Sequence, residues 1–321
     1  MKGSTIHHLN SGLIILSCII SFYVPFELFL FSYGVLGPLH YLTEIGWLHK
    51  KNYFTKGKYD FLFLVATCVI MVYYNFNPPR KGIGIIPDLI AFGLFSSIAF
   101  VFIKDWLYRA VILVLAVISI AFLNNASSYF VWIGVLLPSI IHVFIFTWLF
   151  MLYGVLKEKS ISGLISIGVL ILCTAIIFIV QPQNLFYAVS NYTQKSYALF
   201  AELNFRLINV LGMEALTDMK QVYTSNSGFV IMRFIAFAYT YHYLNWFSKT
   251  SVIKWHLVPK KMLVGTIILW LLAVGLYLVD YNLGLKVLFF LSFLHVFLEF
   301  PLNIISFTGI GKEVASLGKA K

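Results

Sequence analysis

The 321-residue chain is 60% apolar and only 11% charged, with a mean hydropathy of +0.90, whereas a soluble globular protein carries about a quarter charged residues. Too little polar surface exists to wrap a water-soluble domain of this size, so lipid is the expected solvent. The net charge of +11 is spread over short loops beside apolar runs, which points to anionic lipid headgroups rather than to nucleic acid.

Apolar runs of about 18 to 25 residues, the length that crosses a hydrocarbon core of about 30 Å, recur throughout. The reading is all-α, a polytopic transmembrane helix bundle forming a single integral membrane domain over residues 1–321. About ten spans are predicted, at about 11–24, 26–48, 59–76, 85–103, 106–123, 129–156, 162–180, 229–248, 262–280 and 284–306. The first apolar stretch continues through Pro25 without an A-x-A-like site, so no cleavable signal peptide is expected.

Cytoplasmic loops carry an excess of Lys and Arg. Counting alternate loops, sixteen of these residues fall on one side, among them Lys50, Lys51, Lys104, Arg109, Lys157, Lys260 and Lys261. Only Arg80, Lys81, Lys195, Arg206 and Lys220 fall on the other. Both termini are therefore predicted to be cytoplasmic. The long segment 181–228 is placed on the outer side, where Tyr197, Phe200, Ala201, Leu203, Phe205, Leu207 and Ile208 form the apolar stripe of an interfacial helix. Cys18, Cys68 and Cys173 stand alone within apolar runs, without metal-ribbon spacing, and are expected to pack as small hydrophobes.

An ionisable group within a span costs roughly 2.5 to 3.5 kcal/mol on insertion scales, so those present normally face the bundle interior. His40, His142, His242 and His295 lie in four different predicted helices, roughly 9 to 22 Å from the cytoplasmic ends at about 1.5 Å per residue. Glu44 follows His40, and Glu299 follows His295, by one turn on the same face. Several neutral imidazoles with neighbouring carboxylates are the donor set of a metal site in a bundle, the acids either ligating or accepting a ring N–H. Any one of these histidines taken alone reads more often as a hydrogen-bonded packing residue than as a ligand. His7 and His8 belong to the N-terminal tail, and His49 and His256 to membrane edges. Tyr41, Trp47, Trp148, Tyr239, Tyr241, Tyr243 and Trp246 are aromatic candidates for a cavity holding a flat apolar ligand. The chain lacks G-x-x-x-x-G-K-[ST], G-x-G-x-x-G and G-x-S-x-G motifs and the H-x-x-x-H boxes of membrane desaturases, which leaves nucleotide-driven transport, Rossmann cofactors and hydrolase chemistry without support.

Gly37-Pro38-Leu39-His40-Tyr41-Leu42-Thr43-Glu44, Ile140-Ile141-His142, Tyr241-His242-Tyr243-Leu244-Asn245-Trp246-Phe247 with Trp255-His256, and Leu294-His295-Val296-Phe297-Leu298-Glu299 resemble, in order, the histidine segments of the Brp/Blh family of membrane β-carotene dioxygenases. The resemblance covers one early helix and most of the second half. It implies a bacterial inner-membrane enzyme using Fe2+ and O2 to cleave a β-carotene-like polyene to retinal. His40, His142, His242 and His295 would then be iron ligands, with Glu44, Glu299 and Tyr241 as catalytic groups. The chain departs from the family pattern at Trp246, where a second histidine is usual, at Phe146 and Thr147, where an aspartate is usual, and at Glu44 and Glu299, which stand for aspartates.

Overall fold

The computed structural model describes residues 3–78, 84–182, 188–249, 254 and 258–319. Arg80, Lys81, Trp255 and His256, part of the 181–228 segment, and the terminal Lys2 and Lys321 lie outside the described residues. The structure is all-helical, 86% helix, with no strand among the described residues. In chain order the helices are α1 (Gly3–Tyr23), α2 (Pro25–Phe31), α3 (Gly37–Lys50), α4 (Asp60–Phe76), α5 (Ile85–Phe102), α6 (Trp106–Leu123), α7 (Phe130–Glu158), α8 (Ile161–Ile179), α9 (Asn191–Tyr197), α10 (Ala201–Val210), α11 (Asn226–Ser248), α12 (Lys260–Val279) and α13 (Tyr281–Lys319). A π-helical turn, Ser32–Leu36, runs from α2 into α3, and the first part of α7, Phe130–Phe146, is also π-helical.

Among the described residues, seven helices are long and apolar enough to cross a membrane: Ser4–Tyr23, Ile85–Phe102, Trp106–Leu123, Phe130–Glu158, Ile161–Ile179, Lys260–Val279 and Tyr281–Ser316. Three of the ten predicted segments do not meet that standard, for different reasons. The run over 26–48 is divided by the π-turn and carries Glu27, His40 and Glu44. Helix α4 has 17 residues. Helix α11 has 23 residues and is long enough, but it is polar because almost all of it is packed inside protein.

Two compact units are present: Met1–His40 with Glu158–Leu285, and Tyr41–Lys157 with Lys286–Lys321. In the first unit α1 packs along both α8 and α11, and α2 lies against α11. Phe26, Phe29, Val230, Ile231, Ile235 and Phe237 are closed off there. Several polar groups inside this unit are paired: the Ser32 and Thr240 hydroxyls are hydrogen-bonded at 2.7 Å, Ser248 donates to Asn10 at 2.8 Å, and the Trp270 indole N–H donates to the Val35 carbonyl at 2.8 Å. The helix predicted within 181–228 corresponds to α9 and α10 with a tight turn, Ala198–Phe200, between them. Ala201, Leu203, Asn204, Leu207 and Ile208 are buried and α10 packs on α11. Burial raises the Tyr197 hydroxyl well above its ordinary pKa, and that hydroxyl donates to Asn204.

In the second unit α5 packs on α4, α6 and the π-helical part of α7. The core gathers Cys68, Met71, Ile90, Leu137, Phe146, Val296, Phe297 and Phe300. Gly93 permits this packing, since a Cβ there would stand 2.6 Å from a Phe297 ring carbon. Arg109, one of the loop cations, grips Asp60 through two hydrogen bonds of 2.8 and 2.9 Å. All three cysteines are free and buried, with Cys18 Sγ 3.9 Å from the Cys173 carbonyl oxygen.

Candidate metal centre

The second unit holds the most complete donor set. His142 sits in the π-helical part of α7, a stretch that also contains Pro138. Pro lacks the N–H that an α-helix needs at that point, and π windings within helices are often found at functional positions. On α13 the four-residue spacing of His295 and Glu299 puts both side chains on one face. The three side chains are 1%, 3% and 2% exposed, so water does not compete for them. His142 Nε2 and His295 Nε2 lie 3.2 Å apart. Glu299 Oε2 approaches the other ring nitrogen of His142, Nδ1, at 3.4 Å. Tyr41 stacks on the His295 ring with centroids 4.2 Å apart.

The Glu299 carboxylate stands within ion-pair range of Nδ1 but without hydrogen-bond geometry, so its charge favours a proton on Nδ1 without fixing it there. Metal-ligating histidines characteristically hand their second ring N–H to a carboxylate. The spacing also fits an ion. Two nitrogens each about 2.1 Å from one cation, at mutual angles of about 90 to 110°, are about 3.0 to 3.4 Å apart. The ligand atoms of His142, His295 and Glu299 all lie within 4.8 Å of one another, and buried imidazole and carboxylate groups of this kind can hold a metal ion.

A second histidine pair occurs in the first unit. His40 lies in the first turn of α3, which follows the π-turn, and His242 lies in α11. Their Nε2 atoms are 3.1 Å apart, and both side chains are buried. Tyr243 and Trp246 pack on the His40 ring at 5.2 and 5.6 Å. Trp246 therefore supplies an apolar wall to His40. Phe146 stands edge-on to His142 at 6.3 Å.

The structure thus brings His142, His295 and Glu299 together in one unit and pairs His40 with His242 in the other. Glu44 is buried on α3, one turn beyond His40. Tyr241 is buried with its ring stacked along Phe237, centroids 6.5 Å apart. Among the remaining histidines, His7 pairs with Glu158 at 3.2 Å and His49 lies 3.3 Å from the Tyr53 hydroxyl. Sequence reasoning missed Asn303. It is 1% exposed and continues the ridge of His295 and Glu299 by one further turn. The repeated four-residue step of polar residues in an apolar helix was the available signal.

No protein-family model matches this chain, and neither a curated protein nor a solved structure matches it.

Proposed function

We propose that the protein is a metal-dependent oxidoreductase of a bacterial inner membrane, acting on an apolar molecule dissolved in the bilayer. The reaction assigned to it is the oxidative cleavage of a β-carotene-like polyene by the iron-dependent route of the Brp/Blh family. One O2 supplies both carbonyl oxygens, so a symmetric β-carotene gives two molecules of retinal. Ten crossings with both termini cytoplasmic complete the reading, supported by the asymmetry of loop Lys and Arg. The observation that carries it is the buried imidazole–imidazole–carboxylate group of His142, His295 and Glu299 inside a helical membrane protein.

In this reading His142 and His295 are metal ligands, and Glu299 orients His142 and raises its basicity. Ferrous iron, when bound, supplies the one-electron chemistry with O2 that side chains lack. For His40 and His242 a ligand role, and for Glu44 and Tyr241 a catalytic role, rest on the family resemblance alone. Binding rests mainly on shape and burial, as in most pockets for apolar ligands.

Purified protein is expected to contain close to one iron per chain, and His142→Ala to lose it. Glu299→Gln is expected to weaken metal affinity by about 10- to 100-fold, the usual effect of removing a carboxylate behind a ligating histidine. Expression in a β-carotene-accumulating bacterium should bleach the cells and produce retinal detectable by chromatography. A metal-free preparation together with an unchanged pigment pool overturns the proposal. The 3.1 and 3.2 Å separations of the paired Nε2 atoms also suit an imidazole N–H···N hydrogen bond, which favours a second reading, a carrier whose histidines pass protons or join helices. In that case His142→Ala lowers stability, and wild-type protein never contains metal.

A further inference from the structure

Helix α13 carries one polar ridge through an otherwise apolar interior. Ser292, His295, Glu299, Asn303 and Ser306 recur at steps of three or four residues, and the last four are buried. Ser306 is satisfied locally, donating to the Leu302 carbonyl at 2.9 Å. Asn303 differs from it. Both of its side-chain atoms, Nδ2 and Oδ1, are buried, and neither has a hydrogen-bond partner among the described residues. An amide withdrawn from solvent without partners is destabilising, and such exceptions are rare enough in folded proteins to require a cause. Two residues earlier, Pro301 lacks the N–H that would bond the Phe297 carbonyl within the helix. Asn303 offers an amide donor and an amide acceptor in the apolar interior.

The geometry points to a ligand contact. Asn303 lies about 6 Å along the helix axis from Glu299, on the same face, at about 1.5 Å per residue. A group that both donates and accepts one hydrogen bond is complementary to a primary amide, and in an apolar molecule that group is a hydroxyl. Asn303 therefore selects a substrate whose apolar chain carries an O–H, held one helical turn from the His142–His295–Glu299 cluster. A buried water offers the same O–H chemistry, and the experiment distinguishes the two sources. This inference rests on the proposal above that the protein acts on an apolar molecule dissolved in the bilayer.

The test compares two probes with the same polyene, retinol and its deoxy hydrocarbon, in which CH3 replaces CH2OH. Each is titrated by fluorescence into the full-length protein in lipid nanodiscs, with partitioning into protein-free discs subtracted. Wild-type protein is expected to bind retinol about tenfold more tightly than the hydrocarbon, the usual scale for one net hydrogen bond. Asn303→Leu should bring that ratio close to one while leaving iron content and hydrocarbon affinity as they were. Equal affinities for both probes in wild-type protein overturn the inference, because the amide then serves a water. A ratio that persists in Asn303→Leu overturns it as well. Failure to bind either probe overturns this inference together with the apolar-substrate reading of the protein, whereas equal binding removes this inference alone. The wild-type comparison stands without the variant, should Asn303→Leu not fold.

Discussion

Helices α11 and α12 belong to the same unit and have nearly the same length, yet they reverse the rule that governs soluble proteins. In α11, 19 of 23 residues are buried, and they include Arg233, Thr240, Tyr239, Tyr241, Tyr243, His242 and Asn245. In α12 only Ala273 and Tyr277 are buried, and the exposed face is Ile, Leu and Val. Water drives apolar residues inward, but lipid gives an aliphatic side chain little reason to leave it. Polar groups are what the hydrocarbon expels, so they concentrate in the helix that protein surrounds. Arg233 illustrates the terms on which they stay: it donates to the Val180 carbonyl at 3.1 Å and lies over the Phe22 ring at 4.5 Å.

A charge placed on the wrong helix should break this contrast with the largest effect. Leu271 is 56% exposed near the middle of α12. Replacing it with Asp exchanges one of the most favourable residues at the bilayer centre for one of the least, a change of about 3 kcal/mol in insertion. Reduced membrane insertion, measured by glycosylation mapping or by the protein remaining in membrane fractions, is the expected outcome. Undiminished insertion and stability would mean that α12 faces water or protein rather than lipid.

The same contrast explains how much of the molecule was legible in the sequence. The helices with the most exposed apolar surface announce themselves: α6, α8 and α12 were placed within a few residues because most positions in them are apolar. Interior helices announce themselves less, because the polar side chains that lower their hydropathy are the ones that matter. Helix α11 was recognised from its apolar run to within three residues, but its extent of burial was not. The candidate site was legible where chemistry was unusual for the setting, as with His142, His295 and Glu299. Asn303 was passed over because a neutral amide draws less notice than a charge, although it costs the interior free energy on the same grounds. The π windings at Ser32–Leu36 and Phe130–Phe146 leave no composition signature, and they alter which residues share a helix face. That Tyr41 stacks on His295 is a tertiary fact that spacing along one helix does not encode.

A smaller effect is expected where a buried polar pair is cut. Thr240 on α11 is hydrogen-bonded to the Ser32 hydroxyl at 2.7 Å. Thr240→Val keeps shape and removes the bond, leaving the Ser32 hydroxyl to find another partner in the apolar interior. Hydrogen bonds between helices in bilayers are worth about 0.6 kcal/mol on average, and about 1.7 kcal/mol at most. Unfolding in mixed micelles should register a loss in that range. A loss of several kcal/mol would show that the pair belongs to a larger coupled network.

The smallest effect is the most discriminating, because it tests what lipid does as a solvent. In a water-soluble core, Leu→Ala costs about 2 to 5 kcal/mol, since it exchanges apolar burial for a cavity. At Leu271 neither term survives. The unfolded reference in a bilayer keeps this side chain among acyl chains, and acyl chains can fill the space that truncation leaves, so no cavity forms. Leu and Ala also differ little in helix propensity. Leu271→Ala should therefore change stability by no more than about 0.5 kcal/mol, the range of ordinary surface substitutions, in the same unfolding assay that detects Thr240→Val. A cost above about 2 kcal/mol would reveal a protein partner covering this face, because only a close-packed neighbour makes the missing methyl groups felt.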